Sequence, residues 1–168
     1  MSVSSTLLYR FFAASLVLIA SAAHPQTLIE AMRPAQWTTL IFVSTKMPRE
    51  SLVTLARQAQ RTGATLVLNG FQAGHVGMGE AQLWVGQLNL DCCGPRGGAA
   101  FEIDPKKFQQ YDIKSVPAFI ITPFIDAPAS QWSKVSGDMD LGNAFKFFAT
   151  QSHLKNAREY AEIAYLKL

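Results

Sequence analysis

Residues 99–122 read AAFEIDPKKFQQYDIKSVPAFIIT, and the fold turns on this stretch. Its two ends are strand-like: Ala99 to Ile103, then the β-branched and aromatic run Ala118 to Thr122. Between them Asp104 is a good helix N-cap, and Pro105 follows at the first helical position, where a missing N–H costs nothing. The short helix this predicts points Phe108 and Tyr111 one way, and Ile113 closes it down onto a sheet. Ser115-Val116-Pro117 then feeds the second strand. Proline cannot donate to a ladder, so one placed directly before a buried strand is a special position. An ordinary trans strand start and a cis Val-Pro bond are the two alternatives.

Towards the N-terminus, Thr38 to Val43 (TTLIFV) is a second strong strand candidate, short and apolar. Ser44-Thr45-Lys46 is the loop after it, and Pro48 opens a helix with Glu50 in its first turn. Leu52, Leu55, Ala56 and Ala59 share one helical face, and Gly63 is the expected C-terminal stop. Ala64 to Leu68 (ATLVL) is a further buried strand, which completes a β-α-β unit. Asn69 to Gly79 is a glycine-rich loop without the Gly-x-Gly-x-x-Gly or Gly-Lys-Ser/Thr pattern that cradles phosphates. Ala81, Trp84, Val85 and Leu88 recur at helical spacing, so a helix is expected over about Met78 to Asn89. Asp91 to Gly98 (DCCGPRGG) reads as a turn-rich connection.

Towards the C-terminus, Pro123 to Ser130 is a loop with two prolines, and Gln131 to Ser136 alternates like a half-exposed antiparallel strand. Leu141, Ala144, Phe145 and Phe148 mark a helix capped by Asp138 or Asp140. Phe145, Phe147 and Phe148 cannot all face inward on one helix, so Phe147 is expected to face out. Ser152 to Leu168 reads as a last helix with Leu154, Ala157, Ala161, Ala164 and Leu168 on one side, suited to packing on the domain or to docking.

The chain has 168 residues, 49% of them hydrophobic, enough for one domain with a sizeable core. Net charge is +3 with scattered basic residues, and Lys106-Lys107 is the only adjacent pair, so a nucleic-acid-binding face is not expected. Arg10, the apolar run Phe11 to Ala20 and the small residues at Ala20 to Ala23 form a leader, with cleavage expected after Ala22 or Ala23. Its apolar run is too short to span a bilayer comfortably. The expected plan is a signal peptide (1–23), a lead segment (24–37), a main domain (38–150) and a C-terminal helix (151–168). The mature protein is expected to be exported and free of the membrane.

This order of elements is that of a thioredoxin-like α/β fold: a mixed sheet flanked by helices, with an antiparallel pair near the C-terminus. In such folds the proline before the fourth strand is cis, which frees the preceding residue to pair with an extended peptide. A redox enzyme of this fold needs Cys-x-x-Cys after the first central strand, where a helix N-terminus activates the first thiol. Here that position reads Ser44-Thr45-Lys46-Met47, which cannot exchange disulfides. The two cysteines are instead the adjacent pair Cys92-Cys93. A vicinal disulfide, free thiols and a bond to a partner chain are all open to them. Two thiolates without nearby Cys or His do not make a zinc site. His24, His75 and His153 lie far apart, and neither a metal nor a cofactor is expected. Asp138 and Asp140 read as turn and capping residues rather than a catalytic pair, and Ser44 lacks the context of a nucleophile elbow.

Three blocks carry a resemblance to a known family. Phe42-Val43-Ser44-Thr45-Lys46-Met47-Pro48-Arg49-Glu50-Ser51-Leu52 resembles the opening of the F-type conjugative pilus assembly proteins called TrbC. Gly63 to Gly70 (GATLVLNG) resembles their next strand. Ile103-Asp104-Pro105 with Phe108, followed by Val116-Pro117-Ala118-Phe119, resembles their "IDP … VPA" block. The resemblance covers about Thr38 to Phe148. It implies a periplasmic protein of a conjugative type IV secretion system, without a thiol active site or catalytic residues to carry over. It further implies protein partners in pilus assembly, in some systems a TraW-like periplasmic protein. Cys92-Cys93 maps to none of the family's motifs. The expected site is therefore a peptide-binding one, formed by Val116, Pro117, Ser44, Thr45, Lys46 and Met47. The alternative is a periplasmic thiol-disulfide oxidoreductase or isomerase that uses Cys92-Cys93.

Overall fold

Strands buried on both faces read as unbroken apolar runs, because neither face needs polar residues. This is why TTLIFV and AFIIT stand out, and they lie side by side at the centre of the sheet. The computed structural model of the chain describes residues 36–70 and 77–168. The leader, the lead segment up to residue 35, His24, His75 and most of the glycine-rich loop lie outside the described residues.

Strand β1 (Thr38–Val43) leads into helix α1 (Arg49–Thr62) and strand β2 (Thr65–Leu68). Helix α2 (Met78–Cys93) connects to β3 (Ala100–Ile103), and α3 (Pro105–Gln110) to β4 (Ala118–Thr122). A single 3-10 turn at Ala129–Gln131 precedes β5 (Ser133–Ser136), and α4 (Leu141–Gln151) and α5 (Lys155–Tyr165) follow. The sheet order is β3-β2-β1-β4-β5. The first three strands are parallel; β4 runs antiparallel to β1, and β5 antiparallel to β4. A β-α-β unit joined to an antiparallel β-β-α unit in this order is the thioredoxin-like arrangement, and the Val116-Pro117 bond is cis.

Alternate residues of the central strands divide between two cores. Ile41, Val43, Leu66, Leu68, Phe119 and Ile121 face the larger one, built with α1, α2, α4 and α5. Leu40, Phe42, Val67, Ala118 and Ile120 face the smaller one, closed by Tyr111, Phe108 and Ile113. Phe42 meets Phe108 and Tyr111 edge-on, with ring centroids 4.9 and 5.8 Å apart. The short helix thus covers its own face of the sheet. Its start is fixed by Asp104, whose carboxylate accepts from the N–H groups of Lys106 and Lys107. Lys107 is buried beneath it and pairs with Glu102 on β3.

Several boundaries differ from the sequence expectation. Helix α2 runs on through Asp91, Cys92 and Cys93 and stops only at Gly94, whose N–H donates to the Leu90 carbonyl 3.0 Å away. The residues expected to form a turn are held helical by tertiary contacts. Arg49 donates to Asp91, and the Arg57 side chain donates to the Cys92 carbonyl. Gln87 and Arg49, in that order, hold the Asp91 carboxyl below the usual carboxylate range. Strand β5 is shorter than expected because residues 129–131 take the 3-10 turn. Helix α1 stops at Gly63 as expected, in the left-handed conformation (φ 75°) that glycine adopts without strain.

The C-terminal helix packs inward: Ala157, Ala161 and Ala164 are buried in the larger core. It belongs to the same compact unit as the rest of the described residues. Phe147 faces out at 41% exposure, while Phe145 and Phe148 are buried. Among the described residues no helix is long and apolar enough to cross a membrane.

Candidate functional site

The site grows from the antiparallel pairing of β1 with β4. Phe42 pairs with Ala118 at the end of that ladder. Continuing the register two steps brings Ser44, the start of the turn after β1, alongside Val116 before β4. Ser44 and Val116 accordingly line one hollow, and Met47 and Pro117 line another. The turn itself is closed by its own hydrogen bonds: the Met47 N–H donates to the Ser44 carbonyl at 3.0 Å, and the Lys46 N–H to Ser44 Oγ at 3.2 Å. Lys46 is exposed, while Ser44, Thr45 and Met47 are half-buried.

Val116 lies two residues before the β4 ladder begins. Among the described residues its backbone N–H and C=O have no hydrogen-bond partner, whereas the Pro117 carbonyl already accepts from the Gly137 N–H at 3.1 Å. An unpaired donor and acceptor on one half-buried residue are what an extended strand needs in order to pair.

The hollow on the Val116 side has a volume of about 240 Å³ and is walled by Val43, Ser44, Asn69, Phe108, Lys114 and Ser115. The one on the Pro117 side is larger, about 440 Å³. It lies between the N-termini of α1 and α4, with Leu55 at its base and Met47 and Met139 in its walls. Glu50, Asp138 and Asp140 line it as well. Asp140 caps α4, its Oδ1 accepting from the Asn143 N–H at 2.8 Å, as one of the two expected caps. Its second oxygen accepts from Gln58 Nε2 at 3.3 Å.

The sequence pointed to Val116, Pro117 and the Ser44–Met47 turn. It did not mark the acidic wall of the larger hollow. Glu50 read only as a residue favourable to the helix dipole, and Asp138 and Asp140 only as turn and cap residues. Their gathering around Met47 and Met139 depends on a fold that joins positions about ninety residues apart.

Cys92 and Cys93 are joined to each other as a vicinal disulfide. They stand at the C-terminal end of α2, and neither lines either hollow. Cys92 is buried in the larger core. No cysteine lies in the turn after β1, so the place where this fold carries out thiol exchange is held by two hydroxyls, an ammonium and a thioether. Among the described residues no group of His, Cys, Asp and Glu is arranged to hold a metal ion.

A secreted Mycobacterium tuberculosis disulfide oxidoreductase homologous to E. coli DsbE is similar to this chain at 17% identity and a TM-score of 0.40, covering 66% of this chain and 75% of its own. No curated protein matches the chain. Residues 41–148, from β1 through most of α4, match the family of type-F conjugative transfer system pilin assembly proteins, TrbC type. That match spans both hollows and the cis proline, and the chain belongs to this family of conjugative pilin assembly proteins.

Proposed function

We propose that this protein works in pilus assembly as a redox-inactive docking factor. It captures an extended segment of an assembly partner along Val116 and Pro117, beside the turn Ser44, Thr45, Lys46 and Met47. The observation that carries this reading is the unpaired backbone of Val116, set between two hollows at the end of the β1–β4 pair. Backbone pairing supplies affinity in such a mode, and pockets for neighbouring side chains supply specificity. The family supports a partner from the same conjugative machinery, a TraW-like periplasmic protein in our reading. The leader expected from the sequence and the absence of a membrane-crossing helix among the described residues are in keeping with work in the periplasm.

The test is a complementation experiment in a donor strain that lacks this protein. Ser44→Trp fills the smaller hollow and Met47→Lys puts a cation into the larger one. Both positions lie on a surface turn, so the variants are expected to fold, which circular dichroism of the purified proteins checks. Each variant should lower conjugation frequency at least tenfold and reduce photo-crosslinking from position 116 to an assembly protein. Normal transfer by folded variants would overturn the reading. Cys92→Ser/Cys93→Ser should transfer normally; a loss of transfer with fold intact would favour thiol chemistry instead.

A further inference from the structure

We infer that the larger hollow is a seat for one basic side chain of the docked segment, a lysine or arginine flanked by apolar residues. This deepens the docking reading and rests on it. The chain as a whole is basic, with 15 Lys and Arg against 12 Asp and Glu. The wall of this hollow reverses that balance: Glu50, Asp138 and Asp140 line it, and no Lys, Arg or His does. Among the described residues neither Glu50 nor Asp138 has an ion-pair partner.

The helix termini offset only part of this charge. The hollow sits at the N-termini of α1 and α4, each worth roughly half a positive charge, so about two negative charges remain. A free carboxylate ligand is therefore disfavoured, and a cation is favoured. The apolar part of the wall narrows the choice further. Met47, Met139, Leu55 and Pro117 offer a surface for an aliphatic stem, while Glu50 and Asp138 lie exposed where the charged head would stay solvated. Lysine and arginine have this form, an apolar stem with a charged tip. At about 440 Å³ the hollow falls within the range of ~300–1,000 Å³ typical of small-ligand sites, room for one long side chain and its flanking backbone.

The smaller hollow shows no such bias. Its one charged wall residue, Lys114, is paired with Asp112. The segment's charge requirement is thus one-sided: its basic residue lies on the Pro117 side of Val116.

The test is selection from a display library of random nonapeptides with uncharged termini, against the wild-type protein and against Glu50→Gln/Asp138→Asn. The double variant leaves the Asp140 cap in place and changes only exposed positions. Peptides selected on the wild type should carry Lys or Arg at one shared position between apolar residues, and the double variant should lose that preference. Resynthesised with norleucine at that position, the best peptide should bind the wild type at least tenfold more weakly, and the gap should narrow as salt rises. Selected peptides that bind at Val116 without a basic preference, or whose preference survives in the double variant, would overturn this inference and leave the docking reading standing. If no peptide is selected, or if the selected ones bind equally to Ser44→Trp, the docking reading itself fails, and this inference with it.

Discussion

Tyr160 on the C-terminal helix shares a hydrogen bond with Thr39 on the central strand, hydroxyl to hydroxyl at 3.2 Å. Thr39 is fully buried, so its hydroxyl depends on this partner. Losing one member of a buried pair costs more than losing both, because the survivor stays desolvated without a bond. Tyr160→Phe should lower unfolding free energy by about 1–3 kcal/mol. The double variant Thr39→Val/Tyr160→Phe should recover most of that loss. Urea denaturation of the four proteins in the cycle measures both numbers.

The same tyrosine gives the protein an alkaline limit. Burial raises the Tyr160 phenol above its ordinary value, and burial does the same for Tyr111. A raised pKa means that the folded state holds the proton more tightly than the unfolded chain. The resulting stability is complete below the unfolded tyrosine pKa of about 10 and is lost as pH rises through the higher folded value. Stability should therefore fall with a measurable slope above pH ~10, and Tyr160→Phe should reduce that slope without abolishing it, since Tyr111 still titrates. Denaturation midpoints taken at several alkaline pH values check this.

Much of the architecture was readable from local chemistry. β1 and β4 announced themselves as unbroken apolar runs, the pattern required when both faces of a strand are covered. Gly63, Asp104 and Pro117 each mark a backbone position with a specific physical demand, and each sits where that demand predicts. The end of α2 was not readable. Asp91 to Gly98 has the composition of a turn, yet its first three residues stay helical under contacts from Arg49 and Arg57, some forty residues earlier. The same limit hid the acidic wall of the larger hollow. Glu50 and Asp138 are ordinary surface carboxylates until the fold sets them around one space.

Phe42 links β1 to the helix that follows the Asp-Pro cap. Its ring is fully buried and meets both Phe108 and Tyr111. Phe42→Ala should cost about 3–5 kcal/mol, the range for a buried phenylalanine whose surroundings collapse only in part. Phe42→Leu should cost less, since it keeps most of the volume. Thermal unfolding of the two variants gives the order.

Asp104 stops the preceding strand and starts the helix. Its Oδ1 accepts from the Lys106 N–H at 2.9 Å and from the Lys107 N–H at 3.2 Å. Asp104→Ala should destabilise the protein by about 1 kcal/mol, and Asp104→Ser or Asp104→Asn by less, since both still cap. Hydrogen exchange should speed up at the amides of residues 106–110 in the alanine variant while those of α1 stay as in the wild type.

The cysteine pair separates a docking factor from an oxidoreductase. Thiol exchange in this fold is driven from a helix N-terminus, where the dipole favours the thiolate. Cys92 and Cys93 stand at the opposite end of their helix, where the dipole opposes a thiolate, and Cys92 is buried against the core. The purified protein should therefore fail to catalyse insulin reduction by dithiothreitol above the uncatalysed rate. Cys92→Ser/Cys93→Ser should bind a library-selected peptide with an affinity within about twofold of wild type, because neither cysteine lines the hollows and a twofold change is only ~0.4 kcal/mol. Insulin turnover that disappears in the double variant would move the chemistry to the cysteines and away from Val116.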